Sequence, residues 1–391
     1  MIHFLYPTDD FSFDIYNKTE TTFSSSDAED CWSMEWLLTQ IGIPYKNITQ
    51  ETLETCYVKF NLNFPTEYTD LDNIPDTTWK KIKNQHNVYL LLYQATEATP
   101  FYFWNYRWSI LKDFLQCKNI PPQKVKFICG DVDATANHKI NVDDYWSFVD
   151  VIGIDIFELV HNYRHYLDSN PTDIRKTLKG YLKQKTKKNF LCFNRRPRPN
   201  KQSLIFYLKK YNHFDKGLVS NLWEEEDKLI SKEEFEIYNF DNSDYNELTP
   251  LVPVRNEIQE GNFVANQSSP ADLYKKSNFS LVSETFTGST VRFITEKTYK
   301  PIMMGHPFLI HGTTGTLSYL QSLGYETFQN IFDETYDLEK DPKKQLEKII
   351  KNLDCNFKLS ALTIEKIKHN QNNFLKLNTR NRIKNQLEEF L

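Results

Sequence analysis

The residues from 278 to 312 constrain the fold more than any other part of this chain. They read as an apolar strand, a polar loop, a helical period from Phe293 and a second apolar strand at 307–311. We expect Gly305 to end the helix and Pro301 to kink it or end it early. Because a βαβ unit joins parallel strands, the segment predicts an α/β domain with a parallel sheet.

Charged side chains cluster where such a unit binds ligands. Glu284 follows the first strand, and Arg292, Glu296 and Lys297 surround the start of the helix. Ligands of open α/β sheets bind outside the carboxyl ends of the strands. A helix N-terminus with added cations suits a phosphate, and a carboxylate there suits sugar hydroxyls. The same residues also fit an exposed helix start at which Glu296 caps and Lys297 is solvated, so charge placement alone leaves both interpretations open.

The order and spacing of these residues carry a resemblance to a known family. The pattern consists of Ser283, Glu284, Phe293, Thr295, Glu296, Lys297, Lys300, Pro301, Ile302, Gly305, Pro307 and Phe308. It resembles the donor-binding segment of GT-B glycosyltransferases, in particular the α-1,3-fucosyltransferase type, with F-x-x-x-x-E-N-S, then Y-x-T-E-K, then G-x-x-P-V. It is also similar to uncharacterised glycosyltransferase-like proteins of large DNA viruses and phages. The match covers about a tenth of the chain, and Glu284-Thr285-Phe286 stands where the family has Glu-Asn-Ser.

The resemblance implies a site for a nucleotide-sugar donor. Phosphate charge would be held by Lys297 and Arg292 together with the helix N-terminus at Thr295. Glu296 would hold the ribose hydroxyls. Glu284 would hold the donor sugar or the nucleobase, and we count it among the catalytic candidates. Transfer would be inverting, through one displacement assisted by a general base.

Length and composition indicate two domains. The chain has 391 residues, of which 40% are hydrophobic and 25% charged, and these values are typical of globular proteins. We expect a GT-B-like α/β fold of two Rossmann-like domains with parallel sheets and a cleft between them. The predicted division is an acceptor-side domain over 1–183, a donor-binding domain over 184–355, and a C-terminal helix over 356–391 that could cross back to the first domain. The donor domain is expected to end its sheet with a strand over 325–328.

A carboxylate of the first domain is the candidate general base. Glu97 follows the apolar run VYLLLY, at the end of a predicted strand where a cleft would lie. The acceptor domain of a GT-B enzyme supplies a base that takes the proton of the acceptor hydroxyl. A loop-capping role for Glu97 remains the alternative. We interpret Asp131 and Asp133, which follow another strand, as caps.

Arginines follow the first strand of the predicted donor domain. Arg195, Arg196 and Arg198 alternate with prolines between an apolar strand and the next helix. Arginines in that position can grip a diphosphate bidentately, and the segment resembles the Arg-bearing first strand of the fucosyltransferase donor domain. They lie in a stretch, 174–214, that holds 13 Lys or Arg residues and no acid. A solvated basic turn is the alternative.

These observations predict a glycosyltransferase that moves a sugar from a GDP- or UDP-linked donor to an acceptor hydroxyl, expected to be on a glycan. We expect no metal ion and no cofactor beyond the donor, since no Asp-x-Asp pattern lies in the donor half. One alternative is a DNA-modifying glycosyltransferase of a virus or phage, although a net charge of -5 weighs against DNA. Another is a non-catalytic nucleotide- or glycan-binding protein with the same fold.

The sequence also gives an expectation about location. The first residues carry no basic leader or sustained apolar stretch, and no apolar run reaches the length of a membrane span. We expect no membrane span and a place in the cytoplasm of a microbe or of a virus-infected host.

Overall fold

The computed structural model describes residues 1–5, 33–48, 53–61, 71, 74–95, 105–138, 144–160, 171–183, 187–194, 198–221, 246, 271–288, 291–376 and 378–391. It is an α/β protein with two sheets, and all the strand pairs of the described residues are parallel. Internal contacts divide the chain into two units. The first unit comprises Met1–Val160 and Asn378–Leu391, and the second comprises His161–Leu377.

The strands in chain order are β1 (Ile2–Leu5), β2 (Tyr45–Ile48), β3 (Cys56–Asn61), β4 (Val88–Gln94), β5 (Val125–Cys129), β6 (Asp150–Gly153), β7 (Lys188–Asn194), β8 (Leu218–Asn221), β9 (Ser277–Ser283) and β10 (Phe308–His311). The α-helices are α1 (Met34–Ile41), α2 (Asp76–Asn84), α3 (Asn105–Cys117), α4 (Ala134–Asn137), α5 (Pro171–Lys183), α6 (Pro199–Lys210), α7 (Ala271–Lys275), α8 (Glu296–Met304), α9 (Thr316–Ser322), α10 (Pro342–Asn352), α11 (Ala361–Leu375) and α12 (Asn378–Phe390). Short 3₁₀ turns occupy Pro122–Lys124, Trp146–Phe148, Phe214–Lys216 and Glu334–Leu338. In this described part of the chain, the helices are all too short or too polar to cross a membrane.

The first unit is built on a six-stranded sheet in the order β2-β1-β3-β4-β5-β6. Its inner strand β4 reads VYLLLYQ and is largely buried, as a strand covered on both faces must be. Helix α3 covers the sheet with Trp108, Leu111 and Leu115, which recur at helical spacing and are buried. The Trp108 ring lies 5.4 Å from the ring of Phe127 on β5, so helix and sheet share one core.

Helix α12 completes the first unit. Its apolar side chains Ile383 and Leu387 are fully buried. Lys126 on β5 donates to the carbonyl of Phe390 at 2.7 Å, and the Tyr57 hydroxyl on β3 donates to the carbonyl of Leu391. The structure therefore has two helices where the sequence predicted one over 356–391, and α11 and α12 fall in different units.

The division between the units falls after Val160, whereas the sequence placed it after Lys183. The cause is α5, which packs against α7 and α8 of the second unit. The Tyr181 hydroxyl donates to the carbonyl of Asn278 at 2.6 Å, and its ring lies 5.0 Å from the ring of His306. These contacts join the C-terminal half of α5 to the second unit.

The second unit contains a four-stranded sheet in the order β10-β9-β7-β8. The predicted βαβ segment is present as β9, α8 and β10. Helix α8 begins at Glu296, three residues later than the helical period suggested, because Thr295 caps it by accepting from the Lys297 N–H. It continues through Pro301 and ends at Gly305, whose φ of 68° is the left-handed conformation expected of a C′ glycine.

The predicted strand over 325–328 is wrong. In a sheet, the backbone N–H groups of this segment would donate to a neighbouring strand, but here they donate to side chains. The Glu326 N–H donates to Asn370 Oδ1 at 2.7 Å, and the Phe328 N–H donates to Glu334 Oε1 at 2.6 Å. The segment is thus fixed as an irregular loop by side-chain acceptors, one from Glu334 six residues along the chain and one from the distant Asn370.

Candidate functional site

The order of strands in the second sheet defines a topological switch point at its carboxyl edge. From β7 the chain proceeds to β8 on one side, and β9 then pairs with β7 on the other side. Ligands of open α/β sheets bind at such a switch point, outside the carboxyl ends of the strands. Helix α6 begins shortly after β7 and α8 shortly after β9. The carboxyl edge between β7 and β9 is therefore the candidate site.

Glu284 lies directly after β9 and is 1% exposed. Its Oε1 accepts from the Thr295 N–H at 3.1 Å and from the Thr298 hydroxyl at 2.6 Å. Its Oε2 accepts from the Thr295 hydroxyl at 2.6 Å and from the Thr285 N–H at 3.3 Å. Four donors thus satisfy this buried carboxylate, and they fasten the N-terminus of α8 to the end of β9.

Lys297 lies close to the Glu284 carboxylate. Its Nζ is 2.9 Å from Thr295 Oγ1, 3.5 Å from Glu296 Oε1 and 3.9 Å from Glu284 Oε2. The Thr295 hydroxyl therefore donates once and accepts from both nitrogens of Lys297, which is its full capacity. The side chains of Lys297 and Glu296 keep 22% and 16% of their surface exposed, so both can meet a ligand.

The N-terminus of α6 is buried and has no side-chain cap. Arg198 occupies the N-cap position, and its side chain makes no capping bond. Asn200 is 1% exposed and donates through Nδ2 to the carbonyl of Glu284 at 2.8 Å, which places this turn beside β9. Lys201 is 4% exposed. Within the described part of the chain, neither the Arg198 guanidinium nor the Lys201 ammonium has a hydrogen-bond acceptor.

Burial lowers the pKa of Lys201 to about 7, and the positive charges of Lys297 and Arg198 act in the same direction. Glu296 and Glu284 act in the opposite direction but less strongly. Sequence reasoning missed Lys201, which stands among 13 basic residues in 174–214. The signal that could have found it is its position in the first turn after a buried strand.

A row of neutral polar side chains crosses the same edge. His311 at the end of β10 pairs in register with Ser283 at the end of β9. Leu191 of β7 pairs with Ser280 of the parallel strand β9. Three residues further along both strands, the same register places Asn194 beside Ser283. All three are buried, and Asn194 Oδ1, Ser283 Oγ and His311 Nδ1 have no hydrogen-bond partner among the described residues. Burial lowers the pKa of His311 to about 3, so the row is uncharged at neutral pH. Ser283 belongs to the pattern that resembles a donor-binding segment, whereas Asn194 and His311 were not predicted as site residues.

The remaining predicted residues lie elsewhere or outside the described residues. Arg292 is half-buried, donates to the carbonyl of Thr314 at 3.4 Å and lies 5.8 Å from the ring of Tyr319, so it packs against the start of α9. Glu97, Arg195 and Arg196 fall outside the described residues. The structure therefore brings together Arg198, Glu284, Thr295, Glu296 and Lys297, with Lys201 as an addition.

The described residues include no group of three or more His, Cys, Asp or Glu side chains that could hold a metal ion. The sequence matches no protein-family model and no curated protein. The chemistry of the site must be inferred from its geometry. The uncapped N-terminus of α6, three cations and a neutral polar row suit an anion that carries a polar organic group.

Proposed function

We propose that this protein is a GT-B-type glycosyltransferase, which moves a sugar from a nucleoside-diphosphate donor to an acceptor hydroxyl with inversion and without a metal ion. The observation that carries the proposal is the buried, uncapped N-terminus of α6. There, Arg198 and Lys201 have no acceptor among the described residues, and Lys297 stands nearby. Unsatisfied donors and cations in such a position are expected to bind an anion.

The balance of charge favours a diphosphate over a single carboxylate. The site holds three cations, Arg198, Lys201 and Lys297, against the carboxylates of Glu284 and Glu296. The Glu284 carboxylate is already satisfied by four donors. The cations come from two helices on either side of the switch point, so they can reach both phosphates of one ligand.

The roles follow from these positions. Arg198 and Lys297, with the N–H of Asn200 in the first turn of α6, hold the diphosphate, and Glu296 accepts from the ribose hydroxyls. Glu284 acts as a positioning residue, which sets the start of α8 and thereby the location of Glu296 and Lys297. The sequence analysis proposed direct contact of Glu284 with the sugar or nucleobase, but the four donors around its carboxylate favour the positioning role.

In the proposed reaction, the acceptor oxygen forms a bond to the anomeric carbon of the donor sugar. The bond from that carbon to the phosphate oxygen breaks, and the diphosphate leaves with the electron pair. The site cations stabilise the charge that grows on the leaving group. The proton of the acceptor hydroxyl goes to a general base, for which Glu97 remains our candidate. We propose a glycan hydroxyl as the acceptor.

Thermal unfolding with a panel of nucleotides tests the donor site. The panel contains GDP, UDP, ADP, CMP and their sugar conjugates. A ligand at a hundredfold its dissociation constant stabilises the folded state by about 2.7 kcal/mol. We expect a shift in melting temperature with one diphosphate and its sugars, and a loss of that shift in Lys297→Ala. The control is Lys351→Ala, an exposed lysine on α10 that should leave the shift unchanged. The absence of a shift with any nucleotide would overturn the donor site.

Catalysis needs a separate test, because binding alone fits a non-catalytic nucleotide-binding protein. We expect slow hydrolysis of the matching nucleotide sugar in the absence of acceptor, measured as release of the nucleoside diphosphate. Binding without release would favour the non-catalytic alternative. Salt-sensitive binding to duplex DNA would instead favour a DNA acceptor.

A further inference from the structure

We propose, building on the donor site above, that Lys201 contacts the diphosphate of the donor directly and is protonated in that contact. The donor site as predicted from the sequence did not include this residue. The proposal makes Lys201 the inner cation of the site, and it links donor binding to the uptake of a proton.

The position of Lys201 supports direct contact. It lies in the first turn of α6, where no side chain caps the N–H of Asn200. It is 4% exposed, and its ammonium has no hydrogen-bond acceptor among the described residues. The neighbouring Asn200 is equally buried, and its Oδ1 likewise has no partner among the described residues. A buried ammonium without a partner is costly unless a ligand supplies the counter-charge.

The charged groups around Lys201 come from several elements. Arg198 lies on the same helix, Lys297 and Glu296 begin α8, and Glu284 follows β9. Cys192 on β7 lies beneath, and burial raises the pKa of its thiol so that it is neutral near pH 7. Burial and the two neighbouring cations together hold the pKa of Lys201 at about 7. A diphosphate would oppose both effects and return that pKa toward the ordinary lysine value of about 10.4.

The direction of the linkage follows from this change in pKa. At pH 8, the Lys201 of the free protein is mostly neutral and that of the complex is charged, so binding takes up about nine-tenths of a proton. At pH 6, Lys201 is already charged, and the uptake falls to about one-tenth of a proton. The affinity for the donor therefore decreases about tenfold for each pH unit above 7, until the pKa of the complex is reached.

The experiment is isothermal titration calorimetry of the full chain with UDP-glucose and GDP-fucose. Titrations in two buffers of different protonation enthalpy, HEPES and Tris at pH 8 and MES and imidazole at pH 6, give the number of protons taken up. Nucleotide sugars are suitable probes because a diphosphate diester has no phosphate proton to lose near neutral pH. We expect an uptake close to one proton at pH 8 and close to none at pH 6.

Three variants make the assignment specific. Lys201→Met should bind at least tenfold more weakly at pH 6 and take up no proton at pH 8. Lys201→Arg, which stays charged, should bind with no proton uptake. Lys187→Met is the matched control, because burial lowers the pKa of Lys187 to about 8, but this residue precedes β7 at the opposite end of the strand. It should retain the proton uptake of the wild type.

The outcomes separate this proposal from the one on which it rests. A nucleotide sugar that binds without proton uptake at pH 8, or that binds Lys201→Met as well as the wild type, would overturn the role of Lys201. The donor site would then stand without it. If neither nucleoside diphosphates nor nucleotide sugars bind at any pH, the donor site itself is wrong, and the role of Lys201 falls with it.

Discussion

A carboxylate that is 1% exposed normally carries a large desolvation cost, and Glu284 meets that cost with four hydrogen-bond donors. Three of the four donors come from Thr295 and Thr298, at the start of α8. The residue is therefore built into the fold as well as into the candidate site. A substitution here should affect stability and ligand binding together, whereas a purely catalytic carboxylate would affect only turnover.

Glu284→Gln should destabilise the second unit by about 1–3 kcal/mol. The amide nitrogen of Gln, a donor, would replace a carboxylate oxygen that accepts hydrogen bonds. One buried hydroxyl or N–H would then lose its acceptor. Urea denaturation measures the change in the free energy of unfolding. Glu365→Gln, on the exposed side of α11, is the control and should be neutral within about 0.5 kcal/mol. Unchanged stability of Glu284→Gln would refute the positioning role.

Lys201→Met should stabilise the ligand-free protein while it weakens donor binding. The pKa of Lys201 is lowered in the folded state, so its protonation lowers the free energy of unfolding. The full loss applies below pH 7, and it decreases as the pH rises from 7 toward the pKa of lysine in the unfolded chain. We expect a gain on the order of 4–5 kcal/mol at pH 6, falling to somewhat less than half of that at pH 9. Urea denaturation at the two pH values measures both. A loss of stability at pH 6 would show that Lys201 has a partner in the folded protein.

At the scale of the element, α8 connects the candidate site to the core of the second unit. Its first turn holds Glu296 and Lys297, and its remaining residues from Thr298 to its end are buried. Thr295 begins the helix and Gly305 ends it, so the chain turns sharply into β10. A shift at either end of this helix would move the charged side chains relative to β9.

Gly305→Ala should cost about 1–3 kcal/mol of stability, because φ is 68° and a Cβ there would lie 3.0 Å from Gln371 Nε2 and 3.1 Å from Leu178 Cδ1. Thermal unfolding provides the measurement. Gly324→Ala is the matched control. Its φ is also positive, at 82°, but its Cβ would meet its first neighbour at 3.4 Å. The loss should therefore be smaller at Gly324, and equal losses would show that crowding at Gly305 contributes nothing.

The elements also show what the sequence could and could not predict. The segment from β9 to β10 was predictable because its apolar periodicity, its cap at Thr295 and its glycine at Gly305 are all local signals. The loop at 325–328 was not, because its backbone N–H groups donate to the side chains of Glu334 and the distant Asn370, and such side-chain acceptors leave no local pattern. Lys201 was missed because 12 other basic residues surround it in 174–214, although its position in the first turn after a buried strand is a local signal.

At the scale of the whole molecule, the described residues form two units, and each contains a sheet of its own. The first unit needs α12, whose side chains Ile383 and Leu387 are fully buried there. The buried Glu158 carboxylate holds the same helix, since it accepts from the Thr379 hydroxyl and lies 3.5 Å from Arg382 Nη2. The second unit has its own sheet and carries the proposed donor site.

Leu387→Ala should destabilise the first unit by about 2–5 kcal/mol through the cavity that it leaves. Six of the seven tryptophans lie between residues 32 and 146, so tryptophan fluorescence during urea unfolding reports mainly on this unit. In the absence of urea, the increase in melting temperature that the nucleotide causes through the second unit should be the same in Leu387→Ala as in the wild type. Lys384→Ala, which removes a weak ion pair with Glu388 on the same helix, should change the stability by less than about 1 kcal/mol.

The return of α12 to the first sheet has a consequence for synthesis on the ribosome. The second unit, His161–Leu377, is inserted within the first, so its sheet is complete before the helix that the first unit lacks has been translated. Chains are generally expected to fold from the N-terminus as their domains emerge. Here, the unit that begins the chain is the last to be completed. Until α12 has been translated, the apolar surface that Ile383 and Leu387 cover in the folded protein stays exposed on the nascent first unit.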